Sequence, residues 1–120
     1  MSRAAARLES PIQAEIEAAL GAEPDLLLLR NTVGHVKYYD EKTGEPRYVT
    51  YGLGKGSPDL VGILGGRWFC LEIKVPGEEP DPHQEKCHAT WRAFGAFVMA
   101  VHSVGEARSA LALARGQGIS

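Results

Sequence analysis

Apolar positions recur along the chain first at helical and then at strand spacing. Ile12, Ile16, Ala19 and Leu20 fall three or four residues apart and Gly21 stops the run, which predicts an amphipathic helix over residues 10–20. Ser10 suits its N-cap and Pro11 its first turn. The Ala/Arg-rich residues 1–8 read as a frayed start, with the helix reaching back as far as Arg7. Leu26 to Val33 reads as a strand. Val36–Tyr39 and Arg47–Tyr51 are rich in tyrosine and valine and flank a turn-like Asp40-Glu41-Lys42-Thr43-Gly44, the pattern of a β-hairpin. A glycine-rich loop, Gly52 to Pro58, leads into two short strands, Asp59–Leu64 and Arg67–Val75, joined by Gly65-Gly66 as a second hairpin. Asp81-Pro82 introduces a helix from His83 to Phe94, and Ala96 to Val101 is a strand. Ser103 caps a last helix to about Ala114, with Val104, Ala107, Leu111 and Ala114 inward and 115–120 as a tail. The order α, β, hairpin, β, β, α, β, α predicts one α/β domain over 1–120, with helices packed on a mixed sheet.

Composition narrows the setting. The 120 residues suffice for one domain, and the 44% apolar fraction is ordinary for a single core. No apolar run approaches the ~20 residues of a membrane span. The N-terminal stretch lacks the apolar centre of a secretory signal. Two cysteines, Cys70 and Cys87, without a CxxC pair fit a reducing compartment, so a cytoplasmic location is expected. A net charge of −2 does not mark a nucleic-acid binder, but its distribution is uneven. Residues 1–25 carry two basic and five acidic side chains, whereas residues 30–55 carry five basic and three acidic ones. That second segment fits either a surface that meets phosphates or a solvated hairpin.

The chemistry concentrates on the strand from Trp68 to Val75. With period-two alternation, Leu71, Ile73 and Val75 share one face, and Cys70, Glu72 and Lys74 the other. A carboxylate and an ammonium on an otherwise apolar strand are costly unless paired or bound to a metal. In a hairpin closed at Gly65-Gly66, Asp59 falls beside Glu72 and Lys74, so two acids and one amine converge. This set suits phosphodiester hydrolysis. The carboxylates of Asp59 and Glu72, with the backbone carbonyl of Ile73, offer hard oxygen ligands to Mg²⁺ or Mn²⁺, and Lys74 serves the attacking water. The bland alternative is a structural Glu72–Lys74 pair with Asp59 capping a turn.

These residues resemble the PD-(D/E)xK nuclease superfamily, and within it the VRR-NUC branch in its stand-alone form. Gly56-Ser57-Pro58-Asp59-Leu60-Val61-Gly62 matches that branch's G-x-P-D-hydrophobic signature and Glu72-Ile73-Lys74 its E-x-K. Glu9, Ile12 and Gln13 resemble its first-helix motif, Arg30-Asn31 and Gly34 a polar motif after the first strand, and Gln84 ahead of Trp91 its downstream glutamine. The likeness spans roughly residues 9 to 113. It implies a restriction-endonuclease-like αβββαβα core, Mg²⁺ or Mn²⁺ dependence and DNA cleavage in a bacterial or phage-infected cytoplasm. Stand-alone relatives resemble homodimeric Holliday-junction resolvases, in which a two-fold dimer offers two active sites to a four-way junction. Larger relatives carry the module as a flap or repair nuclease.

By the same resemblance Glu9 joins the catalytic and metal-binding set, with Glu15 as the alternative first-helix acid, and Gln84 assists at the scissile phosphate. For Gln84 a surface glutamine in the first helical turn fits almost as well. Lys37, Arg47, Lys55, Asn31 and Ser57 are the expected DNA contacts. The Gly52–Ser57 loop lacks the order of a phosphate-binding P-loop and precedes a strand, so no nucleotide cofactor is expected. His83, Cys87 and His88 lack a paired zinc motif and fit helix-surface histidines better, with a buried thiol nearby.

Overall fold

The computed structural model describes residues 3–117, with side chains from residue 9 onward. Its elements run α1 (Arg3–Leu20), β1 (Leu26–Arg30), β2 (Gly34–Tyr39), β3 (Pro46–Tyr51), β4 (Leu60–Leu64), β5 (Arg67–Ile73), α2 (Pro82–Ala93), β6 (Phe97–Val101) and α3 (Val104–Gly116). Four strands form one mixed sheet in the order β1-β4-β5-β6; β2 and β3 make a separate two-stranded ribbon. β4 runs antiparallel to both of its neighbours, β1 and β5, and β6 adds to β5 in parallel through the α2 crossover. With the ribbon set aside, the remaining order is αβββαβα, an α/β fold with helices on both faces of the sheet.

The alternation of side chains decides which helix packs where. Leu26, Leu60, Leu64, Phe69, Leu71 and Phe97 face α1 and α3 and join Ile16, Leu20, Ala107 and Leu111 in the main core. On the opposite face Val61, Cys70 and Val98 make a smaller cluster against Trp91 of α2. β5 is thus buried on both sides, which is why its run from Phe69 to Ile73 is nearly continuous in apolar residues. Gly62, in β4, pairs with Leu28 where β1 runs close alongside: a Cβ there would sit 2.0 Å from the Leu27 carbonyl oxygen.

Several boundaries differ from the sequence expectation. α1 does not begin at Ser10 but runs from Arg3, so Pro11 is internal and the Arg7 carbonyl loses its usual i+4 donor. The apolar stripe of Ile12, Ile16, Ala19 and Leu20 still packs as expected, and that burial holds the helix through the proline. β1 stops at Arg30 rather than Val33, because Asn31 turns its amide onto the neighbouring loop. α2 starts at Pro82, with Asp81 as N-cap, and ends at Ala93, where Gly95 takes a left-handed φ of 101°. Ser103 caps α3 as expected, but the helix continues to Gly116, into the region read as a tail. Residues 118–120 of that tail lie outside the described residues.

Substituting Gly62 by Ala is expected to lower the unfolding free energy by about 1–3 kcal/mol, since two strands must separate to admit one methyl group. Urea denaturation of the variant measures this; an unchanged midpoint would show that the close approach of β1 to β4 carries no such constraint.

Candidate active site

The hairpin of β4 and β5 brings the motif residues together. Its register pairs Leu60 with Leu71, which sets Asp59 opposite Glu72 at the open end. The Ile73 backbone N–H donates to Asp59 Oδ2 at 2.8 Å, fixing the carboxylate against the end of β5. Asp59 and Glu72 lie within hydrogen-bonding reach of each other, and the charge of Lys74 acts on both. Glu72 and Lys74 are buried, and Asp59 is partly so.

Burial and crowding set the electrostatics. Withdrawal from water, then the adjacent Glu72, raise the pKa of Asp59 from 3.8 to about 8, against smaller opposing effects of the Ile73 N–H and Lys74. Burial also raises Glu72, with Lys74 lowering it and Glu9 and Asp81 adding repulsion. The two acids titrate as a coupled pair, both raised by burial. On the same strand face, burial pushes the Cys70 thiol up to about 12 and leaves it unreactive.

The other expected residues divide. Glu9 is half-buried, its pKa raised by burial and by Asp59, and the charge of Lys74 reaches it; Glu15 is exposed on the same helix. Among the described residues no group of three or more His, Cys, Asp or Glu side chains is placed to hold a metal. Glu9 is electrostatically coupled to Asp59, Glu72 and Lys74. Gln84 is occupied as a helix cap: its side-chain oxygen accepts from the Asp81 N–H at 3.0 Å, while its own N–H donates to Asp81 Oδ1 at 2.8 Å. The cap nevertheless borders the site, since Asp81 and Lys74 interact electrostatically.

Asn31 and Ser57, expected on DNA, are instead turned inward. Asn31 Nδ2 donates to Ser57 Oγ and to the Pro58 carbonyl oxygen, both at 2.8 Å, and Asn31 Oδ1 accepts from the Leu53 N–H at 3.1 Å. The Asn31 N–H donates to the Asp59 carbonyl oxygen at 2.8 Å. Ser57 is buried and its hydroxyl donates to the Gly54 carbonyl oxygen at 2.6 Å. Both side chains spend their polar groups on fixing the glycine-rich loop that delivers Asp59. Lys55 is exposed on that loop, and Lys37 and Arg47 are exposed on the ribbon, Lys37 over the Tyr39 ring and Arg47 at 3.9 Å from Glu45.

One partner of the site escapes the sequence reading. His88 is not on the helix surface: it is 2% exposed, and its Nε2 lies 3.0 Å from Glu72 Oε1. Helical periodicity in α2 carries the signal, since His88 lies three residues before Trp91 and so shares its sheet-facing side. His83 is exposed and Cys87 half-buried, with Gly56 packed against both.

The Asp59 shift gives a definite pH dependence. Its folded pKa lies above its unfolded value, so folding takes up a proton between them. That contribution is full below about 3.8 and is lost as pH rises through about 8. In a chelator, the melting temperature is expected to fall as pH rises from 5 to 8, and Asp59→Asn is expected to flatten the slope. Equal slopes in calorimetric scans of the two proteins would contradict the assignment.

No protein-family model and no curated protein matches the chain. Among solved structures, a chain described as "VRR_NUC domain" is similar at 24% sequence identity and a TM-score of 0.59, over 88% of this chain and 95% of that one. The chain therefore has the fold of a VRR_NUC domain, a mixed sheet flanked by helices.

Proposed function

We propose that the protein is a divalent-metal-dependent DNA endonuclease of the VRR-NUC branch, with Asp59, Glu72 and Lys74 as its working residues. The observation that carries this reading is the crowding of Asp59 against Glu72 beside a buried lysine. Two carboxylates confined where their charges repel are unfavourable in an apolar hairpin unless a cation completes them. The donor set fits a hard ion: two carboxylates with the Ile73 carbonyl between Glu72 and Lys74 in sequence are oxygen donors that suit Mg²⁺ or Mn²⁺ better than zinc. When bound, such an ion supplies Lewis-acid activation of water and neutralises charge on the phosphate.

The chain's own groups do the rest. Asp59 is oriented by the Ile73 N–H at Oδ2, and its carboxylate would hold the ion together with Glu72. Lys74 offers its ammonium to the nucleophile and to charge developing on the phosphate. Glu9 adds negative potential at the rim, and Gln84 fixes the end of α2 beside it. Lys55, Lys37 and Arg47 are the phosphate-contacting candidates, since they are exposed cations on the loop and ribbon that flank the site in sequence.

We extend the reading to branched DNA, with a four-way junction as the preferred substrate, and to a homodimer. An uncovered sheet face supports the dimer. Leu27, Ile63 and Trp68 align across β1, β4 and β5 on the side away from α1, and each is about half exposed. Phe94, at the end of α2, is 90% exposed. An antiparallel face left to water carries polar side chains, and an apolar one of this extent marks an interaction surface. A two-fold pair would supply two sites for two strands.

Incubation with Mn²⁺ and four-way, flap and linear duplex DNA tests the activity. The wild type is expected to cut, with the junction first. Asp59→Ala and Glu72→Ala are each expected to lose at least about 10²-fold in rate while keeping DNA binding. Preference for the flap would redirect the substrate, and cleavage by both variants at the wild-type rate would end the nuclease reading. Light scattering tests assembly: a dimer is expected, with Phe94→Asp shifting it to monomer.

A further inference from the structure

The Glu72 carboxylate has a neighbour that the nuclease reading leaves idle. His88 and Glu72 are each 2% exposed, and His88 Nε2 approaches Glu72 Oε1 at 3.0 Å. A carboxylate so deeply buried needs a hydrogen-bond donor to remain ionised. When Glu72 is ionised its oxygen can only accept, so Nε2 carries the hydrogen.

α2 is well placed to act as a fixed reference for this contact. At its start Asp81 and Gln84 close a reciprocal cap. Near its end Arg92 donates to the Val98 carbonyl oxygen at 3.1 Å through Nε and 2.8 Å through Nη2, tying the helix to β6. Between these anchors, Gly56 packs so closely that a Cβ on it would lie 2.9 Å from the His83 ring and 3.2 Å from Cys87 Cβ. Gly56 is three residues before Asp59. One helix thus touches the loop that delivers the first acid and the side chain of the second.

We propose that His88 is a positioning residue for divalent-ion binding: its imidazole holds Glu72 Oε1 and thereby turns the other carboxylate oxygen toward Asp59. The inference rests on the reading of Asp59 and Glu72 as the ion-holding pair. His88 itself touches neither ion nor DNA. A carboxylate left free to rotate would present the ion with several side-chain orientations, of which one is productive. Partners of this kind are worth about 10–100-fold in metal affinity.

Mn²⁺ binding, read from the loss of the free-ion electron paramagnetic resonance signal, tests this without reference to cleavage. His88→Leu removes the donor at similar bulk, and His88→Gln keeps an N–H that can reach Glu72. The expected result is an Mn²⁺ dissociation constant raised about 10–100-fold in His88→Leu and returned to within about threefold of wild type in His88→Gln. A purely structural histidine would lower the melting temperature in both variants and leave the affinity of the folded protein unchanged. That result overturns the proposal. If His88→Leu does not fold, His88→Asn replaces it, its amide being too short to reach Glu72; equal affinities for Asn and Gln variants overturn the proposal as well. Glu72→Ala separates the two levels of inference. Loss of Mn²⁺ binding there with normal binding in the His88 variants sinks the role of His88 alone. Wild-type binding in Glu72→Ala sinks the metal reading and His88 with it.

Discussion

A single backbone hydrogen bond, from the Ile73 N–H to Asp59 Oδ2, sets the geometry on which the site depends. It pins an acid from the start of β4 to the end of β5, next to an acid that β5 itself carries. Two acids on one strand face would stand two residues apart along the chain, whereas cross-strand pairing sets them directly side by side. The hairpin solves this by opposing residue 59 to residue 72, and the apolar flanks on both faces then exclude the water that would screen the pair. The raised pKa of Asp59 is the thermodynamic expression of that arrangement.

Around this bond the fold supplies support in layers. The main core braces β5 from the α1–α3 side through Leu71 and Ile73, and α2 closes the other face through Trp91 and His88. The loop before Asp59 is held by Asn31, whose amide reaches Leu53, Ser57 and Pro58 at once. A glycine-rich loop loses much conformational freedom on folding, and these side-chain contacts help offset that cost.

Most of the architecture was legible in the sequence because it follows from periodicity. The stripe in α1, the alternation in β5, the Ser103 cap and the Gly65-Gly66 hairpin are local patterns with local causes. The convergence of Asp59, Glu72 and Lys74 was legible too, since a tight hairpin turns sequence separation into proximity. What escaped depended on tertiary contact. Pro11 looks like a helix start until the packing of Ile12 and Ile16 is known. The hydrogen bonds by which Asn31 and Ser57 hold the loop are not written in the sequence, because polar residues near a motif carry no mark of which way they point. His88 looks like a surface histidine because α2 is short of apolar residues, so its inward side is weakly written. Gln84 is a similar case, its cap geometry matching its place in the helix as well as any role at a phosphate.

The ribbon of β2 and β3 enters and leaves the domain through one narrow neck. Asn31 stands just before it and Leu53 just after it, and the Asn31 amide bridges the two. The twenty-odd residues between them hang on the domain as an appendage whose base is already fastened, and closing a longer or shorter excursion there costs little additional entropy. Such an attachment lets length and surface chemistry drift in the appendage while the carboxylate pair stays untouched.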